Sequence, residues 1–250
     1  MLVIAQVSDL HLDGGDHAAE RAGRVLAYVA QLSGPIDAVL VSGDIADHGL
    51  SAEYEEAAKV LSVAPFPVLV LPGNHDVRGP FREVLLGQAP GTFGDGPVNQ
   101  VRQVGEAVFA LCDSSIPGRD DGLLDDETIG WLDRTLTDVP ASAPVFVCFH
   151  HPPAELRSFA DKIRQYGEER LADVVRRHPN VVALLCGHAH TAAATTFAGR
   201  PLLVAPGVVS TGRMPWQAGD AFVDPDQPPG LAFHVLHGDR RLTTHYRVAP

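Results

Sequence analysis

Cysteine is scarce in this chain. Three occur in 250 residues, at Cys112, Cys148 and Cys186. The odd count and irregular spacing exclude a disulfide framework. Thiols set in apolar runs read instead as small core residues suited to a reducing compartment. Paired thiolates are also missing, which excludes a structural zinc finger. Cations are outnumbered: 19 Lys and Arg face 31 Asp and Glu, for a formal net charge of −12. Such a chain does not attract polyanions through its overall field, so no nucleic-acid polymer is expected as partner. No apolar run approaches the ~18 residues of a membrane-spanning helix. The N-terminus lacks the basic region, apolar segment and small-residue cleavage site of a signal peptide. The expectation is a soluble, cytoplasmic protein with no membrane partner.

What is present is a substantial apolar fraction, 45% of residues, enough to bury a sizeable core. The first half alternates short apolar runs with helical patterns. Leu2–Val7, Ala38–Val41 and Val68–Leu71 read as buried strands. Helical periodicity covers 16–32, 51–63 and 80–88, with Asp16 and Ser51 as expected caps. That alternation predicts a mostly parallel sheet with helices outside. A hairpin is expected at 98–112, turned at Gly105-Glu106, then a helix at 125–136, a strand at 145–149, a helix at 168–177 and a strand at 181–185. The last sixty residues hold four short strands, which predict a second sheet stacked on the first. Residues 214–230 read as the most loop-like stretch. No repeat, charge block or linker divides the chain, so a single domain over 1–250 is expected.

Five of the strands end in metal-ligand side chains: Asp9-Leu10-His11, Gly43-Asp44, Gly73-Asn74-His75-Asp76, His150-His151 and Gly187-His188-Ala189-His190. Alternate residues of an extended segment point the same way. Asp9 and His11 are thus expected to aim at one ion from extended backbone, as are His188 and His190. Carboxylate plus imidazole suits first-row transition metals better than Mg or Ca. Asp44 is the natural bridge, because one carboxylate can touch two cations ~3.5–4 Å apart.

The five blocks, in this order, resemble the segmented signature of the calcineurin-like metallophosphoesterases: D-x-H, G-D-x-x-D, G-N-H-[DE], H, G-H-x-H. The resemblance implies an α/β fold (α+β in some schemes), a four-layer α-β-β-α sandwich of two mixed β-sheets flanked by helices. It implies two divalent or trivalent first-row ions, Mn, Fe, Zn or Co. One would be held by Asp9, His11, Asp44 and His190, the other by Asp44, Asn74, His150 and His188. His75 would stay unligated beside the substrate phosphate as the catalytic side chain, with Asp76 behind it as acceptor. His151 would be structural or support the ligands. Attack would come from a metal-bridging hydroxide.

The strings Gly-Asp-Ile-Ala-Asp-His-Gly and Pro-Gly-Asn-His-Asp lack the arginines of Ser/Thr protein phosphatases. No tyrosine stands where purple acid phosphatases place a ligand. The chain looks most like bacterial class III cyclic-nucleotide phosphodiesterases and related glycerophosphodiesterases, some of them homodimers. A small-molecule phosphodiester is the implied substrate. A phosphomonoesterase and a non-catalytic metal-binding scaffold are the alternatives. Asp47 reads as a turn or cap residue. His17, His48, His178, His234, His237 and His245 match no block and read as ordinary. Arg213 and Trp216 are candidates for touching substrate.

Overall fold

The computed structural model describes residues 1–217 and 221–250, so residues 218–220 of the expected 214–230 loop lie outside the described residues. The first sheet contains β1 (Leu2–Val7), β2 (Ala38–Ser42) and β3 (Val68–Leu71), joined by helices α1 (Asp16–Gln31) and α2 (Ser51–Leu61). A hairpin follows, β4 (Gln100–Val104) and β5 (Ala107–Leu111). Then come α3 (Asp126–Asp138), β6 (Val145–Cys148), α4 (Glu168–Arg177) and β7 (Val181–Cys186). The chain ends with β8 (Ala193–Phe197), β9 (Arg200–Val204), β10 (Gly230–Leu236) and β11 (Leu242–Val248).

The strands form two large sheets, in the orders β11-β10-β1-β2-β3 and β8-β9-β7-β6-β5-β4. In the first sheet β1, β2 and β3 are parallel and β10 and β11 run antiparallel beyond β1; in the second, β9, β7, β6 and β5 are parallel, with β8 and β4 antiparallel at the edges. The parallel strands are apolar on both faces because both faces are covered. Ile4, Leu40, Leu71, Phe109, Phe146 and Leu185 fill the space between the sheets, where the Phe109 and Phe146 rings stack at 5.0 Å. Val39, Val41 and Val70 face α1 and α2. Val145, Val147 and Leu184 face α3 and α4. Three cores between four layers result, each fully buried aliphatic side chain contributing about 1.5–3 kcal/mol.

The tail does not make the second sheet by itself, contrary to the sequence expectation. It is shared. Strands β10 and β11 extend the first sheet from the open edge of β1, and β8 and β9 extend the second from the edge of β7. A parallel sheet leaves unpaired edges, and the tail hairpins cover one on each. Three local expectations also shift. Helix α1 is preceded by Gly15 with no side-chain cap, so Asp16 lies in the first turn and helps through its charge. At α2 the Glu53 carboxylate accepts the Leu50 N–H at 3.0 Å, and Ser51 is already helical. The helix expected over 80–88 is a short turn at Arg78–Pro80 running into one wide turn at Phe81–Leu85. Gly87, at φ 63°, ends it.

A polar cluster interrupts the apolar inter-sheet layer. Gln6 donates to Ser42 Oγ at 2.8 Å and to the Cys186 carbonyl at 2.9 Å, linking the two sheets. His234 meets Gln6 Oε1 at 2.7 Å. Burial pushes the His234 imidazole down to about 3 from its ordinary 6.5. The folded chain therefore holds this ring neutral, while the unfolded chain protonates it below pH 6.5. Stability from this group is complete above pH 6.5 and is lost as the pH falls toward 3. Between pH 7 and pH 5 the loss should reach about 2 kcal/mol, at ~1.4 kcal/mol per unit. Urea unfolding at the two pH values should show His234→Gln losing less than the unaltered chain by about that amount. Equal losses would disprove the assignment.

Candidate metal centre

The parallel strands of both sheets deliver their C-terminal ends to one rim, where open α/β sheets place their sites. The backbone there is not extended. Asp9, His11, Asp44, His188 and His190 all have positive φ, between 46° and 70°. Asp and His are among the side chains that enter this left-handed region most readily. Alternation along a strand is thus not what aims Asp9 and His11 together. Each ligand leaves its strand on a tight turn, and such conformations persist only when their surroundings fix them. The fixing contacts are visible: Asp9 N–H donates to the Gly43 carbonyl at 3.1 Å and His11 N–H to the Asp44 carbonyl at 2.9 Å. Gly43, at φ 100°, lies so close to His150 that a Cβ would stand 2.3 Å from Nδ1. Gly73 abuts Asp44 in the same way, at 2.1 Å from Oδ1. The glycines of the motif blocks permit this approach.

The side chains converge. Asp44 Oδ2 lies 3.5 Å from His11 Nε2 and 3.1 Å from His150 Nε2, so one oxygen faces both histidines. Asp9 Oδ1 lies 3.6 Å from His190 Nε2 and 3.8 Å from His150 Nε2. His11 and His190 bring their Nε2 atoms within 3.3 Å. Asp9, His11 and His190 form one group able to grip an ion, and Asp9, Asp44 and His150 another. His188 groups with His150 and His151. Asn74 lines the same cleft.

Each candidate histidine has one nitrogen tied back. His11 Nδ1 meets Asp47 Oδ1 at 2.8 Å, His150 Nδ1 the Ser42 carbonyl at 2.7 Å, His188 Nε2 the Ile163 carbonyl at 3.0 Å, and His190 Nδ1 Ser210 Oγ at 2.9 Å. This pattern orients an imidazole so that its other nitrogen can ligate. Asp9 Oδ2 and His150 Nε2 are buried without a hydrogen-bond partner, at a cost no structure keeps without return. Mixed carboxylate, amide and imidazole donors with two orphaned atoms fit a pair of first-row ions.

Charge is balanced among the residues. Burial would raise the Asp44 carboxyl, but the charges of His150, His11 and His75 hold it well below the usual carboxylate range. Burial opposes charge on His150, yet Asp44 and Asp9 carry its imidazole up to about 9. Burial, together with the His150 charge, pushes His188 down to about 3. Such paired perturbations mark functional clefts.

His75 stands at the cleft, with Nδ1 donating to the Asp47 carbonyl at 2.8 Å and the Asp47 carboxylate 3.4 Å away. Its ring meets His11 edge-on at 4.5 Å. Asp76, expected as its acceptor, turns away. It accepts from the N–H groups of Gly73, Ile45 and Ala46 and from the Tyr54 hydroxyl. A buried carboxyl with four donors beside it ties two ligand loops together. Burial and the Asp44 charge push it up to about 6. Asp47 takes the role expected of Asp76, and touches His11 as well. The G-D-x-x-D spacing was its signal. The backbone carbonyls of Ser42 and Ile163 have no signal in sequence. Asp47→Ala should weaken binding of one ion about tenfold to a hundredfold, read by metal titration. Unchanged affinity would refute the His11 contact as functional.

Arg213 and Trp216 do not line the cleft. The Arg213 guanidinium meets Asp224 at 3.2 Å, and Trp216 is 73% exposed. Of the histidines read as ordinary, His234 is buried between the sheets and His178 pairs with Asp133. The three cysteines are buried and unpaired. No described helix is long and apolar enough to cross a membrane.

Residues 2–192 match the family model described as calcineurin-like phosphoesterase. The chain is similar to the glycerophosphodiester phosphodiesterase GpdQ of Enterobacter lignolyticus, 32% identical over 99% of this chain and 92% of that protein. It is similar to the 3′,5′-cyclic adenosine monophosphate phosphodiesterase CpdA of Escherichia coli K12, 30% identical over 98% and 90%. A dimetal phosphatase from Danio rerio shares the fold, with a TM-score of 0.75 over 100% of this chain and 96% of that one, at 16% identity. With the motif blocks intact and gathered at one rim, the chain belongs to the calcineurin-like phosphoesterase family.

Proposed function

We propose that this protein hydrolyses small phosphodiesters, with cyclic nucleotides such as 3′,5′-cAMP or 2′,3′-cyclic nucleotides as good substrates. The observation that supports this most is the cleft over the metal centre, about 520 Å³ in volume. One wall is apolar, built from Ile163, Val209, Phe222 and Val223, and suits the organic half of a diester. Asp13 and Asp120 also border it, and no Lys or Arg does among the described residues. A diester with one negative charge is the better match. A phosphomonoester would bring a second charge with no Lys or Arg beyond the metal centre to meet it.

In this reading Asp9, His11, Asp44 and His190 hold one ion, and Asp44, Asn74, His150 and His188 the other. The donor set suits Mn, Fe, Zn or Co, and availability decides among them. When bound, two such ions supply Lewis acidity at the phosphoryl oxygens and a water acidic enough to attack near neutral pH. The chain's own residues do the rest. The buried ligand turns fix the positions before substrate arrives. His75 uses its Nδ1–H on the Asp47 carbonyl, so in the doubly protonated imidazolium it is Nε2–H that can give a proton to the leaving alkoxide. The apolar wall orients the organic group. Buried thiols and the absence of a disulfide suit the cytoplasm.

Glycerophosphodiesters are the second reading, favoured by the GpdQ likeness across 99% of the chain. The test is a hydrolysis panel on metal-stripped protein reloaded with Mn²⁺, with Asp44→Ala as control. It would hold cAMP, 2′,3′-cAMP, glycerophosphodiesters, an aryl monoester and an aryl diester. Asp44-dependent cleavage of cyclic nucleotides is expected. Activity on glycerophosphodiesters alone would replace the substrate. Activity on monoesters alone would refute the charge argument. Inactivity with every metal would leave a scaffold.

A further inference from the structure

His151 follows a candidate ligand, is fully buried, and lies with His150 and His188 in a group of three imidazoles able to reach one ion. Its hydrogen bonds show a different task. The backbone N–H groups of His150 and His151 both donate to Ser114 Oγ, at 3.2 and 3.3 Å. A hydroxyl has two acceptor positions and one proton. With both acceptor positions filled, its proton goes to the remaining neighbour, His151 Nδ1, at 2.8 Å. The neutral ring therefore carries its own proton on Nε2. That nitrogen lies 3.1 Å from Asn74 Oδ1, and the Asp120 backbone also hydrogen-bonds the His151 side chain. Neither ring nitrogen has a lone pair left for a metal.

We propose that Ser114 and His151 form a positioning pair that fixes which end of the Asn74 carboxamide faces the second ion. This rests on the ligand role proposed above for Asn74. An asparagine side chain has an oxygen that can ligate and an NH₂ that cannot, nearly identical in shape. Turned over, Asn74 would present N–H groups to a cation. A donor at His151 Nε2 accepts only the oxygen as partner, and the oxygen keeps a second lone pair for the ion. The ring itself is held in place. It packs 4.5 Å from the His188 ring, and Gly122 lies so close that a Cβ would stand 2.4 Å from its Cγ.

The test is calorimetric titration of Mn²⁺ into metal-stripped protein, with circular dichroism and melting to confirm folding. His151→Leu removes the donor at similar bulk. It should weaken one of the two sites about tenfold to a hundredfold and leave the other unchanged. His151→Gln offers an acceptor to Ser114 and a donor to Asn74, and should restore that site to within roughly threefold. In an Asn74→Asp background both ends are oxygen, so His151→Leu should then cost less than about threefold. Ser114→Ala should weaken the same site with His151 in place, and Ser114→Thr should restore it. These two carry the test if His151→Leu does not fold. Unchanged binding in His151→Leu, equal weakening of both sites, or His151→Gln as damaging as His151→Leu would overturn the proposal. Asn74→Ala separates the two claims. If it leaves both sites intact, the ligand reading falls together with the inference. If it weakens one site while His151→Leu weakens none, only the inference falls.

Discussion

Asp44→Ala is expected to lose both ions and at least about a thousandfold in turnover, because several kcal/mol of transition-state stabilisation depend on them. The magnitude follows from placement. One oxygen of Asp44 faces His11 and His150 together, so its removal deprives both ligand sets at once. The other oxygen accepts the His75 N–H at 2.9 Å, so the third loop loses an anchor as well. Asp44→Asn keeps the shape and that anchor but not the charge, and should retain metal poorly too. Elemental analysis of the purified variants, beside their hydrolysis rates, decides the matter. Two ions retained in Asp44→Ala would refute the bridge.

His75→Ala is expected to separate chemistry from metal. Its backbone N–H serves Asp44 and survives the change, and its ring ligates nothing in the proposed sets. Metal content should stay intact while turnover falls about a hundredfold to ten-thousandfold, the usual range for a positioned acid or base. The loss should depend on the leaving group. A nitrophenolate departs without a proton and should suffer least, whereas an alkoxide such as a ribose hydroxyl should suffer most. Equal losses on both would assign His75 to charge stabilisation. Loss of metal in step with activity would make it a ligand.

Much of the centre was legible in the sequence because its residues sit where strands end, and strands announce themselves by apolar runs. Leu2–Val7 and Val68–Leu71 have the bounds that the pattern predicts, and the ligand blocks follow directly. The backbone at those blocks was not legible. Left-handed turns at Asp9 and His11 are decided by carbonyls from the neighbouring loop, which are distant in sequence. Asp47 is hard to read in the sequence because a carboxylate after a turn is usually a cap, and nothing local says that His11 stands 2.8 Å away. The contacts of Asp76 are hidden for the same reason: adjacency to His75 in sequence says little about where a side chain turns. The split of the tail between sheets was hidden because an edge strand has no local mark of the sheet that it will join.

The centre draws on both sheets, and this sets an order of assembly. In the proposed sets each ion takes ligands from the turns after β1 to β3 and from those after β6 or β7. Asp9 and His190 are separated by more than half the chain, yet they must meet within a single coordination sphere. Closing so long a loop is among the slower steps of folding. A growing chain therefore carries no complete ion site until the segment with His188 and His190 has emerged. With the proposed ligand sets, hydrolysis waits until that segment has joined the second sheet.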